Sequence, residues 1–155
     1  MNKPSQIREL LSSSIATLKQ NPENLHVFIE EGNIAATAAG GNLSFEYQFT
    51  CVIIVTDFNE HADNVIIPLL GWITKNQPEL LENPELRETG FQFKAELLNH
   101  ATFDLEIKLK LTERVKVTEQ QNALHVEHLP EPIFEDNIDW TLFTNGTKTP
   151  WPPTT

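Results

Sequence analysis

From Leu43 to Val55 every odd position is apolar: Leu43, Phe45, Tyr47, Phe49, Cys51, Ile53 and Val55. A period of two held this long predicts a strand, Leu43 to Phe58, with one face buried throughout. Its even positions change from Ser44, Glu46, Gln48 and Thr50 to Val52 and Ile54. The strand is therefore expected to start half exposed and end covered on both sides, by a second layer or another subunit. A second rod repeats the pattern, with Phe103, Leu105, Ile107, Leu109 and Leu111 against Asp104, Glu106, Lys108, Lys110 and Thr112. Near Glu113-Arg114 the alternation reads as slipping by one, with Val115 and Val117 carrying the apolar phase beyond. That predicts a bulge, or a strand that leaves the sheet and projects as an arm.

Around these rods the remaining elements follow from spacing. Pro4 and Ser5 open a helix whose residues Ile7, Leu10, Leu11, Ile15 and Leu18 form one apolar stripe, closed by Asn21-Pro22. Leu25 to Glu31 and Ile34 to Ala39 read as short strands joined at Gly32-Asn33, and Gly40-Gly41-Asn42 turns the chain into the long strand, giving a meander of three. Val65, Ile66, Leu69, Leu70, Trp72 and Ile73 predict a second helix, with Asp63 as cap and Lys75 near its end. Pro68 requires either a start close to that residue or an irregular preceding turn. Asn76 to Thr89, with Pro78 and Pro84, reads as a connection holding one short helical turn. Phe91, Phe93, Ala95 and Leu97 alternate with polar residues as a strand that turns back at Asn99-His100. Leu124, Val126 and Leu129 allow a last strand before Pro130-Glu131-Pro132. The expected fold is thus α+β: a two-layer domain over 1–132, its mostly antiparallel sheet with two long strands packed against two helices. Residues 133–155 form a C-terminal extension, expected to be a hairpin around Asn145-Gly146 followed by a flexible proline-rich end.

Composition narrows the function. A chain of 155 residues fits one domain with a real core. Asp and Glu outnumber Lys and Arg by 22 to 11, for a formal charge of -11, and the basic residues are scattered. The footprint of a protein that grips phosphate backbones is missing, so specific nucleic-acid binding is not expected. Cys51 is the lone cysteine and sits at an inward position. An intramolecular disulfide cannot form, and a reducing compartment is the natural home. The N-terminal residues lack an apolar signal core and no run reaches membrane-spanning length, which predicts a soluble protein made in the cytoplasm.

Candidate chemistry is sparse. His125 and His128 have a metal-like spacing, but on a strand their imidazoles point to opposite faces. Asp57, Glu60, His61 and Asp63 cluster at the end of the long strand, where they could bind a hard cation or perform acid/base work. Asx turns and helix caps use the same residue types. Ser12-Ser13-Ser14 lacks the strand-turn-helix elbow of a hydrolase nucleophile, and Gly40-Gly41 is too short for a phosphate loop. No cofactor is expected. A small metal-dependent hydrolase using Asp57, His61 and Asp63 stays open as a rival reading, as does a monomeric adaptor that binds through its C-terminal extension. Trp140, Leu142, Phe143 and Trp151, outside the predicted core, are candidate partner contacts, with packing back onto the domain the open alternative for the two tryptophans.

Several blocks together resemble a known family: Pro4-Ser5 with Ile7-Arg8 and Leu10; Val55-Thr56-Asp57-Phe58; Pro68-Leu69-Leu70-Gly71-Trp72 ending in Asn76-Gln77-Pro78; Gly90-Phe91; Leu111-Thr112-Glu113-Arg114; and Ala123-Leu124-His125-Val126. In order and spacing, from Pro4 to about Pro132, they are similar to the tail completion protein R family of peduovirus-like contractile-tailed bacteriophages, and Trp140 to Gly146 resembles that family's end. The resemblance implies a tail-terminator-like, non-enzymatic protein that finishes the contractile tail and prepares it to join the head. It implies a ring, usually of six copies, touching tail tube and sheath proteins and head-to-tail connector or neck proteins, with no membrane partner. Its setting would be the host cytoplasm during assembly and then the head-proximal end of the virion tail. A headless contractile particle or a defective prophage would use the same surfaces. The resemblance supplies no catalytic residues.

Overall fold

The computed structural model describes residues 1–36, 42–131, 142–144 and 147–149. In chain order these form α1 (Lys3–Ser14), α2 (Ala16–Gln20), a 3-10 turn (Pro22–Asn24), β1 (Leu25–Ala36), β2 (Phe45–Phe58), α3 (Asp63–Asn76), α4 (Glu79–Glu82), α5 (Pro84–Arg87), β3 (Phe91–Leu97), β4 (Phe103–Gln120) and β5 (Ala123–Leu129). Two short strands follow, β6 (Leu142–Thr144) and β7 (Thr147–Thr149), paired antiparallel with each other. The five main strands make one antiparallel sheet in the order β1-β2-β4-β3, with β5 also on β4. This is the α+β architecture with two long strands that the alternation predicts.

The odd face of the rods is the core. Cys51, Ile53 and Val55 of β2 meet Leu109, Ile107 and Leu105 of β4 in register, and all six are fully buried. Ile7, Leu10 and Leu11 of α1 and Val65, Leu69, Trp72 and Ile73 of α3 close the same cluster. Burial alone assigns roughly 1.5–3 kcal/mol to each large side chain here. It also makes the lone thiol inert: burial pushes the Cys51 pKa up to about 12. On the even face Val52 lies in register between Phe28 and Lys108 and is buried. Leu43, predicted inward, is exposed, because it precedes the first paired residue of β2, Phe45.

Several expectations are corrected. The first helix is broken at Ile15, which is extended (φ -117°, ψ 110°). The break follows Ser12-Ser13-Ser14, where the Ser13 hydroxyl donates to the Leu10 carbonyl at 3.0 Å, a side-chain bond that competes with the helix ladder. Ile15 and Leu18 are buried all the same. The two short strands predicted around Gly32-Asn33 are one strand, β1, with a bulge at Glu31, which adopts φ 48°. The extra residue absorbs the kink, so both halves pair with β2 and no turn forms. Of the meander's joint, Gly40-Gly41 lies outside the described residues. α3 begins five residues before Pro68 and continues through it. Its first turn is tightened by bonds from Asn64 to His61 and Val65 to Ala62, and the N-cap is Ala62 rather than Asp63, which instead sits in the first turn where the helix dipole favours a carboxylate. The connection to β3 holds two helical turns, α4 and α5, the second capped by Asn83 Oδ1 accepting from the Glu85 N–H at 3.0 Å.

The predicted slip at Glu113-Arg114 is absent. β4 runs unbroken through it, and Leu111, Glu113, Val115 and Val117 stay on one face. What reads as a change of phase is a charged residue at an inward position. The arm is present: β2 pairing ends at Phe45 with Val115, and beyond it residues 116–120 pair with β5 alone.

Gly90 sets the junction of α5 and β3. Its N–H donates to the Leu86 carbonyl at 2.7 Å and its carbonyl accepts from the Lys110 N–H at 2.9 Å. A Cβ there would stand 2.3 Å from Leu80 Cδ2 and 2.6 Å from the Leu86 carbonyl oxygen. The leucine can turn aside, but the backbone oxygen cannot. Gly90→Ala is therefore expected to lower stability by about 2 kcal/mol in chemical denaturation, the cost of overpacking a buried site.

Candidate functional site

β4 has β2 along one edge and two strands along the other: β3 beside Phe103 to Leu109, and β5 beside Arg114 to Gln120. On that second edge residues 110–113, which pair with β2 on the first, have no strand partner, and buried backbone groups there need others. They are met from three directions. The Lys110 N–H donates to the Gly90 carbonyl, the Thr112 N–H donates to Gln77 Oε1 at 3.1 Å, and Lys3 Nζ donates to the Thr112 carbonyl at 2.6 Å.

These contacts belong to a buried polar clasp. Lys3 Nζ also donates to Gln77 Oε1 at 2.6 Å and to Glu131 Oε1 at 3.2 Å, so its three protons have three acceptors. Gln77 Nε2 donates to Thr112 Oγ1 at 3.1 Å. Glu113 Oε1 accepts the N–H groups of Asn2 at 2.7 Å and Lys3 at 3.2 Å. Asn2, at the N-cap position of α1, makes no side-chain cap bond, so a carboxylate from a distant strand caps this helix and meets its positive end. Lys3, Gln77 and Glu113 are all buried. Burial pulls the Lys3 ammonium below its ordinary value, opposed by Glu131 and Glu113 and aided by Arg114. The clasp joins the start of α1, the end of α3, the middle of β4 and the second residue after β5, and so fixes the base of the arm to the body.

Beyond the clasp the arm is exposed along all of β5, including Leu124, Val126 and Leu129. Ile34 of β1, at the same end of the sheet, is exposed too. At β4's other end Phe93 and Leu97 of β3 stand open on the core side of the sheet. Such apolar positions suit contact with other protein surfaces rather than chemistry.

The carboxylate and histidine cluster does not form a site. Asp57 is the bulge residue of β2, with φ 51°, where the register shifts between Val55 and Phe58. Its N–H donates to Asp104 Oδ1 at 3.0 Å. Aspartate tolerates that left-handed conformation, which accounts for the residue type. Glu60 accepts from Asn64 Nδ2 at 3.4 Å, and His61 and Asp63 are exposed. His125 and His128 lie on opposite faces of β5. Among the described residues no group of three His, Cys, Asp or Glu side chains could hold a metal ion. No described helix is long and apolar enough to cross a membrane. Of the candidate contact residues, Leu142 and Phe143 fall in β6, while Trp140 and Trp151 lie outside the described residues.

The clasp was not legible as a site. Lys3, Gln77 and Glu131 are ordinary polar residues in the chain, and Glu113 alone leaves a trace, a charge where an apolar residue belongs. Three of the blocks singled out in the sequence, the one that opens α1, Asn76-Gln77-Pro78 and Leu111-Thr112-Glu113-Arg114, meet here in space. A family model described as P2 phage tail completion protein R (GpR) matches residues 1–132. The tail completion protein R of Escherichia phage P2 is 42% identical over 148 residues, covering 94% of this chain and 95% of that protein. No solved structure matches the chain. On this sequence agreement over nearly its whole length, the chain belongs to the P2 phage tail completion protein R family.

Proposed function

We propose that this protein is a structural, non-catalytic component that completes a contractile phage tail and prepares its head-proximal end for joining to the head. Family membership carries the reading, above all the 42% identity to the phage P2 protein across 94% of the chain. The fold is compatible: a rigid body with a clasped arm and apolar positions open at both ends of the sheet is equipped for assembly through complementary surfaces. In this reading copies form a ring of six that meets tail tube and sheath proteins on one side and connector or neck proteins on the other. Assembly takes place in the host cytoplasm. Residues 133–155 act as an extension separate from the domain over 1–132, with Trp140, Leu142, Phe143 and Trp151 touching a neighbouring subunit or tail protein. In this reading acidic side chains, in excess on a chain of formal charge -11, line the lumen, where repulsion keeps passing DNA from adhering.

The test is complementation of a phage that lacks the gene. The full chain is expected to restore completed tails joined to heads, seen by electron microscopy and counted as infectious particles. A chain ending at Pro132 is expected to fold, by circular dichroism, and yet reduce infectious yield by about a hundredfold, as losing a central contact of roughly 3 kcal/mol would. Normal yield from the shortened chain removes the role of the extension. Normal head-to-tail joining without any of this polypeptide removes the function itself.

A further inference from the structure

β3 is paired with β4 along one edge, and among the described residues no strand lies along the other. The main-chain groups on that free edge can be identified. Lys110 and Thr112 turn their N–H groups toward the β3 side of β4, so even-numbered β4 residues bond in that direction. In register, Lys108, Glu106 and Asp104 meet Gln92, Lys94 and Glu96. The even positions of β3 thus spend their N–H and carbonyl groups on β4, and Phe93, Ala95 and Leu97 direct theirs outward. Phe93 is 69% exposed and Leu97 83%, and the strand contains no proline. An open groove lined by Phe91, Gln92, Phe93, Lys94, Glu106 and Lys108 runs beside it. A long, apolar, unprotected edge of this kind is a template for another strand.

The sequence of β3 specifies which strand. If β3 meets an antiparallel copy of itself with the two-fold axis at Ala95, Phe93 falls opposite Leu97 of the other copy and Lys94 falls opposite Glu96. Both relations repeat by symmetry. The outward main-chain groups of Phe93, Ala95 and Leu97 then form bonded pairs, and Lys94 and Glu96 occupy the closer, non-bonded pairs on the opposite face. Moving the axis one residue either way sets Lys94 against Lys94 or Glu96 against Glu96. Within one chain, moreover, Glu96 stands directly opposite Asp104, two like charges that take part in none of the ion pairs among the described residues; an incoming Lys94 offsets that repulsion. We infer that the free edge of β3 pairs with β3 of a second copy about a two-fold axis at Ala95, making a dimer with a continuous ten-stranded sheet, twice the five strands of one chain. The inference goes beyond the tail-completion reading and does not depend on it: the dimer is the association of the free protein, and because a polar ring has no two-fold axis between neighbours, the β3 edges part before copies enter the ring.

The experiment is sedimentation equilibrium of the full-length protein over a range of concentrations, with Lys94→Glu, Glu96→Lys and the double exchange, each checked for folding by circular dichroism. The wild type is expected to dimerise reversibly. Each single reversal sets like charges together twice per dimer and is expected to weaken dimerisation about tenfold or more, whereas the double exchange restores it. A wild type that is monomeric at every concentration overturns the inference. So does association that ignores the single reversals, or a double exchange no better than either single. These outcomes leave tail completion untouched, which the complementation above tests alone.

Discussion

Replacing Glu113 by alanine is expected to lower the unfolding free energy by about 3–5 kcal/mol, measured by urea denaturation with an unchanged m-value. The loss has two sources. The N–H groups of Asn2 and Lys3 lose the acceptor they share, which by itself costs about 1 kcal/mol in the manner of a lost helix cap. The buried Lys3 ammonium also loses one of the two carboxylates that hold it charged. Glu113→Gln separates the two, because an amide oxygen can still accept from the backbone while the charge is gone. It is expected to cost about 2–4 kcal/mol, the alanine loss less the cap. Equal losses for the two variants would mean that the helix cap contributes nothing and that the charge carries the whole effect.

Phe58→Ala is expected to cost about 3–5 kcal/mol, with thermal unfolding lowered by roughly 8 °C or more. Phe58 is the first β2 residue paired after the bulge and meets Phe103 across the sheet. The rings stand edge to face, 5.7 Å between centroids and 86° between planes, an arrangement worth about 1 kcal/mol beyond burial. The side chain is 2% exposed, and the fixed bulge geometry beside it limits how far the site can collapse onto the void. Phe58→Leu, which refills most of the volume, should recover more than half of the loss. A leucine variant as unstable as alanine would show that the ring contact, rather than the filled space, is what matters.

How much of this was readable in the chain differs by element. The rods were, because a single buried face imposes a period of two and Ile53 and Ile107 meet as that period requires. Helical spacing likewise picked out the buried residues of α1 and α3, although it could not register the break at Ile15, since residues on either side of an extended position can still point into one core. The bulges at Glu31 and Asp57 depend on tertiary pairing, and each was misread through local chemistry: Gly32-Asn33 as a hairpin turn, Asp57 as a candidate ligand. Glu113 is the clearest case. Periodicity assumes that an inward position is apolar, so a buried carboxylate with distant partners looks like a lost register. Its partners Asn2 and Lys3 are separated from it by 111 and 110 positions in the chain, and nothing local to any of them reveals the meeting.

β4 is 18 residues long, which at the usual rise makes a rod of about 60 Å. It is hydrogen-bonded to β2 along most of its body and to β5 at its tip. Tension applied to the arm is therefore directed along the strand axis, where the rungs shared with β2 are sheared together instead of being peeled apart in sequence. The clasp grips the same rod midway. A neighbour that pulls on the hairpin pulls on the hydrophobic interior through one continuous backbone, and the molecule answers that load as a stiff brace.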